Sequence, residues 1–216
     1  MTMHPTELQD RIHKALNAAA RAVGADTDAY RPTGISEPLA PVNRYLRLRA
    51  AFTAMDGRFA HPNRYGDALW YGLFDAAYTQ PGDYLVQDAS VWFIAAQQRL
   101  LPVLCVQTNR VVSFWRPAAP SSTGVNDYGG VTTATNSPLL TDWPASVLGA
   151  SGQGRPDTGL PSDSSIPYWT VLVPAFPGVI LHPSDLMTDD IGRSAVVAAA
   201  ELTDLGWRII AKQATT

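Results

Sequence analysis

The side chains able to do chemistry in this sequence are few and scattered. His4, His13, His61 and His182 show no His-x-x-x-His spacing and Cys105 is the single cysteine, so the pattern holds neither a zinc-type ligand set nor an intrachain disulfide. Asp189 and Asp190 are adjacent carboxylates. Paired acid and base work, or metal coordination, needs carboxylates that converge. Neighbours on a strand point to opposite faces, and neighbours in a turn both face water. A hydrolase built on this pair would lose its turnover on double Asn replacement, and nothing else in the chain supports one. Gly149-Ala-Ser-Gly-Gln-Gly154 lacks the glycine that a nucleophile elbow places two positions after serine, because residue 153 is Gln. Neither Gly-x-x-x-x-Gly-Lys-Ser/Thr nor Gly-x-Gly-x-x-Gly occurs. The expectation is a non-enzymatic protein without catalytic, cofactor-binding or metal-binding residues. Trp92, Trp115, Trp143, Trp169 and Trp207 would suit a sugar-stacking platform, but most lie in strand-like runs where core packing is the simpler reading.

Composition bounds what carries these residues. A chain of 216 residues with 46% apolar content can bury a core, as one domain or two small ones. Only 16% of residues are charged, against 17 Pro and 16 Gly, which favours extended, β-rich backbone over a helical bundle. The net charge of −3 comes without a Lys/Arg run, and only Arg44, Arg47 and Arg49 cluster, so tight nucleic-acid binding is not expected. Cys105 sits in an apolar run and reads as a buried thiol. With no apolar signal-like segment and no window of roughly 18 apolar residues, the chain is expected to be soluble, without membrane contact.

Thr6-Glu-Leu-Gln9 after Pro5 fits a capping box, Gly24 supplies a stop, and Leu8, Ile12, Ala15, Leu16, Ala19 and Val23 recur at helical spacing, predicting a helix over 6–23 within residues 1–25. That helix packs either on its own β module or on a neighbouring subunit. The prolines of 26–66 argue against regular structure, yet its apolar content argues against a disordered linker. It is expected to be an extended arm, dispensable for folding, whose Tyr45-Leu-Arg-Leu-Arg49 alternates like a strand able to add to a sheet edge. Residues 67–77 fit a short helix or a buried strand equally.

The fold class expected is mainly β: two small barrel-like modules, duplicated, behind an N-terminal helix and a long arm. The duplication shows in Pro81-Gly-Asp83 and Pro183-Ser-Asp185, each followed by an apolar strand, a turn, and a strand ending in alanines and a polar residue. The modules are placed at 67–118, closed by Val111-Val-Ser-Phe-Trp115, and at 166–216, with a Pro/Gly/Ser-rich interaction loop at 119–165. Turn clusters Asp190-Ile-Gly-Arg193 and Thr203-Asp-Leu-Gly206 cut the second module into a meander. Candidate interaction residues are Tyr30, Leu39, Tyr45, Leu46 and Leu48 in the arm, with Tyr128 and Trp143 in the loop.

Pro183-Ser-Asp185, Asp189-Asp-Ile-Gly-Arg193 and Ala200-Glu-Leu-Thr-Asp204 resemble the barrel of tailed-bacteriophage head-closure and head-to-tail connector proteins, which show a Gly-Asp-x-apolar opening, an Asp-x-x-Gly-Arg turn and an apolar-Glu-x-Thr-Asp segment. Asp28-Ala-Tyr-Arg-Pro32, Leu39-Ala-Pro-Val-Asn-Arg-Tyr-Leu46 and the stretch from Ala200 to Trp207 also resemble neck or tail proteins of proteobacterial phages and prophages. The resemblance implies a virion structural protein, assembled in the host cytoplasm as a homo-oligomer at the head-to-tail junction. Its partners would be portal, adaptor, tail or fibre proteins, and DNA would be met only in passage. The alternative is a tail-fibre-anchoring or receptor- and carbohydrate-binding β module, for which Asn126, Asp127, Tyr128 and Trp143 are the residues to inspect.

Overall fold

Helix α1 (Pro5–Val23) opens the computed structural model, which describes residues 5–54, 66–117, 136–149 and 167–214. The Gln9 carboxamide contacts His13 Nε2 at 2.7 Å and accepts the Leu100 N–H at 3.0 Å. Gly24 ends the helix by donating to the Ala20 carbonyl at 2.7 Å. A Cβ there would stand 2.5 Å from the carbonyl oxygens of Ala20 and Ala50, so only glycine lets the chain turn this close to the sheet. Of the two packing partners foreseen for α1, the contact present is with its own barrel, on β2 (Arg44–Ala54) and β3 (Leu69–Leu73).

Twelve strands follow among the described residues, all antiparallel within their sheets. β1 (Ala25–Tyr30), β2, β3, β4 (Tyr84–Gln87), β5 (Ser90–Ala96) and β6 (Val103–Gln107) run in the order 1-2-3-6-5-4, and β4 pairs back onto β1 to close a barrel. β7 (Arg110–Arg116), β8 (Ser137–Gly149), β9 (Tyr168–Val173), β10 (Leu186–Asp189), β11 (Ser194–Thr203) and β12 (Gly206–Gln213) repeat the same circuit as 7-8-9-12-11-10, closed by β10 on β7. The fold is mainly β and duplicated, as the sequence indicates. Even the bulges recur, between Ile94 and Ala96 on β5 and between Val197 and Ala199 on β11.

The module boundaries differ from those read in the sequence. Of the stretch 26–66 expected to be an arm, residues 26–54 supply most of β1 and all of β2, so removing them would take two staves from the first barrel, and 55–65 lie outside the described residues. The Val111 to Trp115 run does not close the first barrel but opens the second, as β7. Within 119–165, residues 137–149 are not loop but strand β8, and 119–135 and 150–165 lie outside the described residues. Residues 67–77 resolve into β3 and the turn that follows it.

The strands alternate where one face meets solvent. In β12, Trp207, Ile209 and Ala211 are buried while Arg208, Ile210 and Lys212 are exposed. β5 does not alternate, because both its faces are covered. Trp92 and Ile94 join the first barrel's core with Leu85, Phe74 and Cys105, whereas Phe93 and Ala95 join Tyr84 and Val106 in a second core shared with Val112, Phe114, Trp143 and Ile209 of the other barrel. Burying a large apolar side chain contributes roughly 1.5–3 kcal/mol. Several such residues from each barrel lie in one cluster, so the two barrels share a core.

Gly72 on β3 is a sensitive point of the first core. A Cβ would meet the Phe74 ring at 2.5 Å and Cys105 Sγ at 2.9 Å, both on fully buried side chains. Gly72→Ala is expected to cost about 1–3 kcal/mol by overpacking, read as a lower urea midpoint with an unchanged m-value.

Candidate functional site

The most elaborate polar constructions among the described residues are two copies of one ion-pair clamp. Arg31, just past β1, donates from Nε and Nη2 to the two carboxylate oxygens of Asp83, each at 2.8 Å, and from Nη2 to the Tyr78 carbonyl at 3.1 Å. Arg116, at the end of β7, grips Asp185 at 2.9 and 3.0 Å and reaches the Ile180 carbonyl at 2.7 Å. Each aspartate also accepts a backbone N–H from three residues earlier, Gln80 at 2.9 Å and His182 at 2.7 Å. The Pro-small-Asp tripeptides are the turns that present these carboxylates. Gly82 and Ser184 both adopt positive φ and donate to equivalent carbonyls, those of Ile94 and Val197, at 2.8 Å.

The copies differ in one respect. Asp83 also accepts the Tyr45 hydroxyl at 2.7 Å, and the Arg31 guanidinium lies 4.5 Å from the Tyr45 ring centre. Burial, then the Asp83 carboxylate, push the Tyr45 phenol well above its ordinary range, so it stays a donor. The hydrogen bond to Asp83 raises Arg31, and that to Asp185 raises Arg116. These clamps pin each barrel's first strand to the turn before its fourth. Their carboxylates are saturated by fixed donors, an arrangement suited to holding backbone and not to moving protons.

Several other charged groups are held in ion pairs. Arg44 and Arg47 both engage Asp28, Arg47 through two hydrogen bonds at 2.7 and 3.1 Å, and that bonding lowers the Asp28 carboxyl. Arg49 reaches the Gly24 carbonyl and lies 4.0 Å from Asp26. Asp189 and Asp190 diverge. Contrary to the expectation for a turn, the Asp189 side chain is buried, binding Arg193 Nε at 2.6 Å and the Arg193 N–H at 2.8 Å, while Asp190 stays exposed beside Arg110. Among the described residues, no three His, Cys, Asp or Glu side chains come together as a metal site.

The predicted interaction residues fall into different roles. Tyr30 and Leu39 are half-buried against the shared core. Tyr45 belongs to the first clamp, and Leu46 and Leu48 point into the first barrel's core. Trp143 is not on a loop surface: it is 0% exposed on β8, with its Nε1–H donated to the Ile35 carbonyl at 2.7 Å, which removes it from any sugar platform. Trp92 and Trp207 are core as well. Residues 126–128, including Tyr128, lie outside the described residues.

Sequence reading missed the two arginines of the clamps, although each stands in an aromatic-Arg-Pro triplet, Tyr30-Arg-Pro32 and Trp115-Arg-Pro117, that would have marked them. It also missed a groove of about 380 Å³ between α1 and β2, lined by Asn17, Arg21, Arg47, Arg49, Asp75 and Tyr78 among others.

Cys105 is fully buried and free. Burial pushes its thiol above the ordinary 9.0 and the Tyr84 phenol above the ordinary 10.0. The unfolded chain therefore ionises first, so stability is full below those ordinary values and declines as pH rises past them. Cys105 is expected to ignore a thiol-reactive disulfide at about pH 8 until denaturant is added, and the urea midpoint is expected to fall between about pH 8 and about pH 10.

Compared with known proteins, the chain matches no family model, no curated protein and no solved structure.

Proposed function

We propose that this protein is a non-enzymatic structural component of a tailed-phage virion, working as an assembly of copies at the head-to-tail junction and joining portal or adaptor to tail components. The observation that carries the reading is where the resembling motifs sit. Pro183-Ser-Asp185 is the clamp turn of the second barrel, Asp189 to Arg193 is the β10–β11 turn, and Ala200 to Asp204 runs from β11 into the β11–β12 turn. The stretches that resemble head-closure proteins are thus ones that lie at turns and strands of a barrel. The saturated charge pairs give further support, since they suit a rigid spacer better than an enzyme.

The test is gold-labelled antibody electron microscopy on phage particles from a lysate of the source. Label at the head-to-tail junction is the expected result. Label along fibres or at the distal tail would replace the connector role with receptor binding, and unlabelled particles would overturn the virion reading.

A further inference from the structure

We propose that two copies of this chain pair through the outer face of the second barrel, where the row of side chains centred on Val196 in one copy packs on the same row in the other. The inference goes beyond the junction reading and does not depend on it.

Strand register lays one row of side chains across the outside of each barrel. In the first barrel the row is Tyr30, Tyr84, Phe93, Val106 and Leu69, paired in turn from β1 through β4, β5 and β6 to β3. The same pairings in the second barrel give Trp115, Leu186, Val196, Lys212 and Tyr168, from β7 through β10, β11 and β12 to β9. Both rows begin on the aromatic residue of an aromatic-Arg-Pro triplet, and the second member of each directly follows a clamp aspartate.

The two rows differ in what meets them. The first is the face by which the first barrel joins the second. Tyr84, Phe93 and Val106 are buried in the shared core with Tyr30 and Leu69 packed against it, and Tyr84 meets the Trp143 ring while donating to the Pro144 carbonyl at 2.8 Å. In the second row Trp115, Leu186, Val196 and Tyr168 are half-buried, Lys212 is exposed, and none of the five belongs to either core. Ile210 beside them, the counterpart of Leu104, is exposed as well. A face that makes a barrel-to-barrel contact in one half of the molecule is thus repeated in the other half, four-fifths apolar along its row, with no barrel against it.

The surfaces left on a second copy decide what covers it. The first row sits at the bend of β8, which also carries residues 35–37 as a short parallel bridge, with Thr141 N–H donating to the Ile35 carbonyl at 2.9 Å and Glu37 N–H to the Thr141 carbonyl at 3.0 Å. Every copy fills that place with its own first barrel. The corresponding strand of the first barrel, β2, is covered by α1. What remains for the row is the equal row of another copy, and like against like closes as a two-fold dimer. Reversal about an axis near Val196 also accommodates the single charge. Lys212 stands one strand from Val196 on one side and Leu186 one strand on the other. The Lys212 stem therefore lies on the second copy's Leu186, with its ammonium toward the second copy's Trp115 ring instead of another ammonium. Five strands at about 4.8 Å spacing make the face about 20 Å wide, so its burial falls at the low end of specific interfaces and pairing is expected to be half complete at about 10–100 μM.

Sedimentation of the full chain over about 1–300 μM tests this. The mass is expected to rise from the 23.3 kDa of one copy toward twice that value and no further. Val196→Glu, which sets a carboxylate at the centre of the face, is expected to weaken pairing by about tenfold or more. Val196→Cys keeps the size of the side chain and so keeps the barrel. Under a mild disulfide-forming oxidant it is expected to cross-link two native copies, because a residue beside a two-fold axis meets its own copy, and the buried Cys105 does not compete. Ile191→Cys, exposed on the β10–β11 turn away from the row, is expected to cross-link about tenfold more slowly. A wild-type chain that stays single at the highest concentration, a mass beyond two copies, pairing that Val196→Glu leaves unchanged, or Val196→Cys cross-linking no faster than Ile191→Cys would each overturn the proposal. Pure protein is used throughout, so failure here leaves the junction reading standing, and absent label on particles leaves this interface standing.

Discussion

Arg116→Ala is expected to cost about 3 kcal/mol of stability and Arg31→Ala roughly half as much, although the two arginines make the same clamp. Neither value comes from the arginine itself, which is more than a third exposed in both cases and can return to water. The cost lies in the carboxylate left behind, at 1% exposure for Asp83 and 3% for Asp185. Without Arg116, the Asp185 carboxylate keeps, among the described residues, only the His182 N–H. Without Arg31, Asp83 keeps both the Gln80 N–H and the Tyr45 hydroxyl. Urea unfolding of the two variants measures the difference. Adding Tyr45→Phe to Arg31→Ala should bring its loss up to the Arg116→Ala value, and equal losses for the two single variants would show that Tyr45 does not share the charge.

The clamps also show how far the sequence could be read. Pro81-Gly-Asp83 and Pro183-Ser-Asp185 announce the duplication because a positive-φ residue before a buried aspartate is a local demand written in local residues. The helix is legible for the same reason, through apolar spacing and a glycine stop. The barrel boundaries are not legible, since closure pairs strands far apart in sequence. β1 and β2 were hidden among prolines that prove to lie between them, at Pro32, Pro38 and Pro41. β8 carries Pro138 and Pro144 within its own length, positions that argue against a strand. Pro144 is tolerated because what the fold uses there is its carbonyl, which accepts the Tyr84 hydroxyl at 2.8 Å. The clamp arginines were overlooked because an Arg-Pro dipeptide reads as a surface turn until its aspartate, some fifty or more residues away in sequence, is placed beside it.

Trp143→Ala is expected to lower stability by about 3–5 kcal/mol and the melting temperature by roughly 10 °C, as one intact transition. The ring packs edge-on against Tyr84 of the first barrel at 6.0 Å and against Phe176 of the second at 5.6 Å, so its loss opens a cavity at the seam between the barrels. Trp143→Phe should cost far less, about 1 kcal/mol, since the Ile35 carbonyl keeps the Thr141 N–H when the indole donor goes. Calorimetry separates this seam from an ordinary core site. Because Tyr84, Phe93 and Val106 share one cluster with Val112, Phe114 and Ile209, the barrels should unfold together, with equal calorimetric and van't Hoff enthalpies in the wild type. Two transitions in the wild type, with Trp143→Ala moving only the one that belongs to the second barrel, would mean that the barrels are independent domains joined by a contact. In that case the link carried by residues 35–37 would hold them in place without coupling their stability.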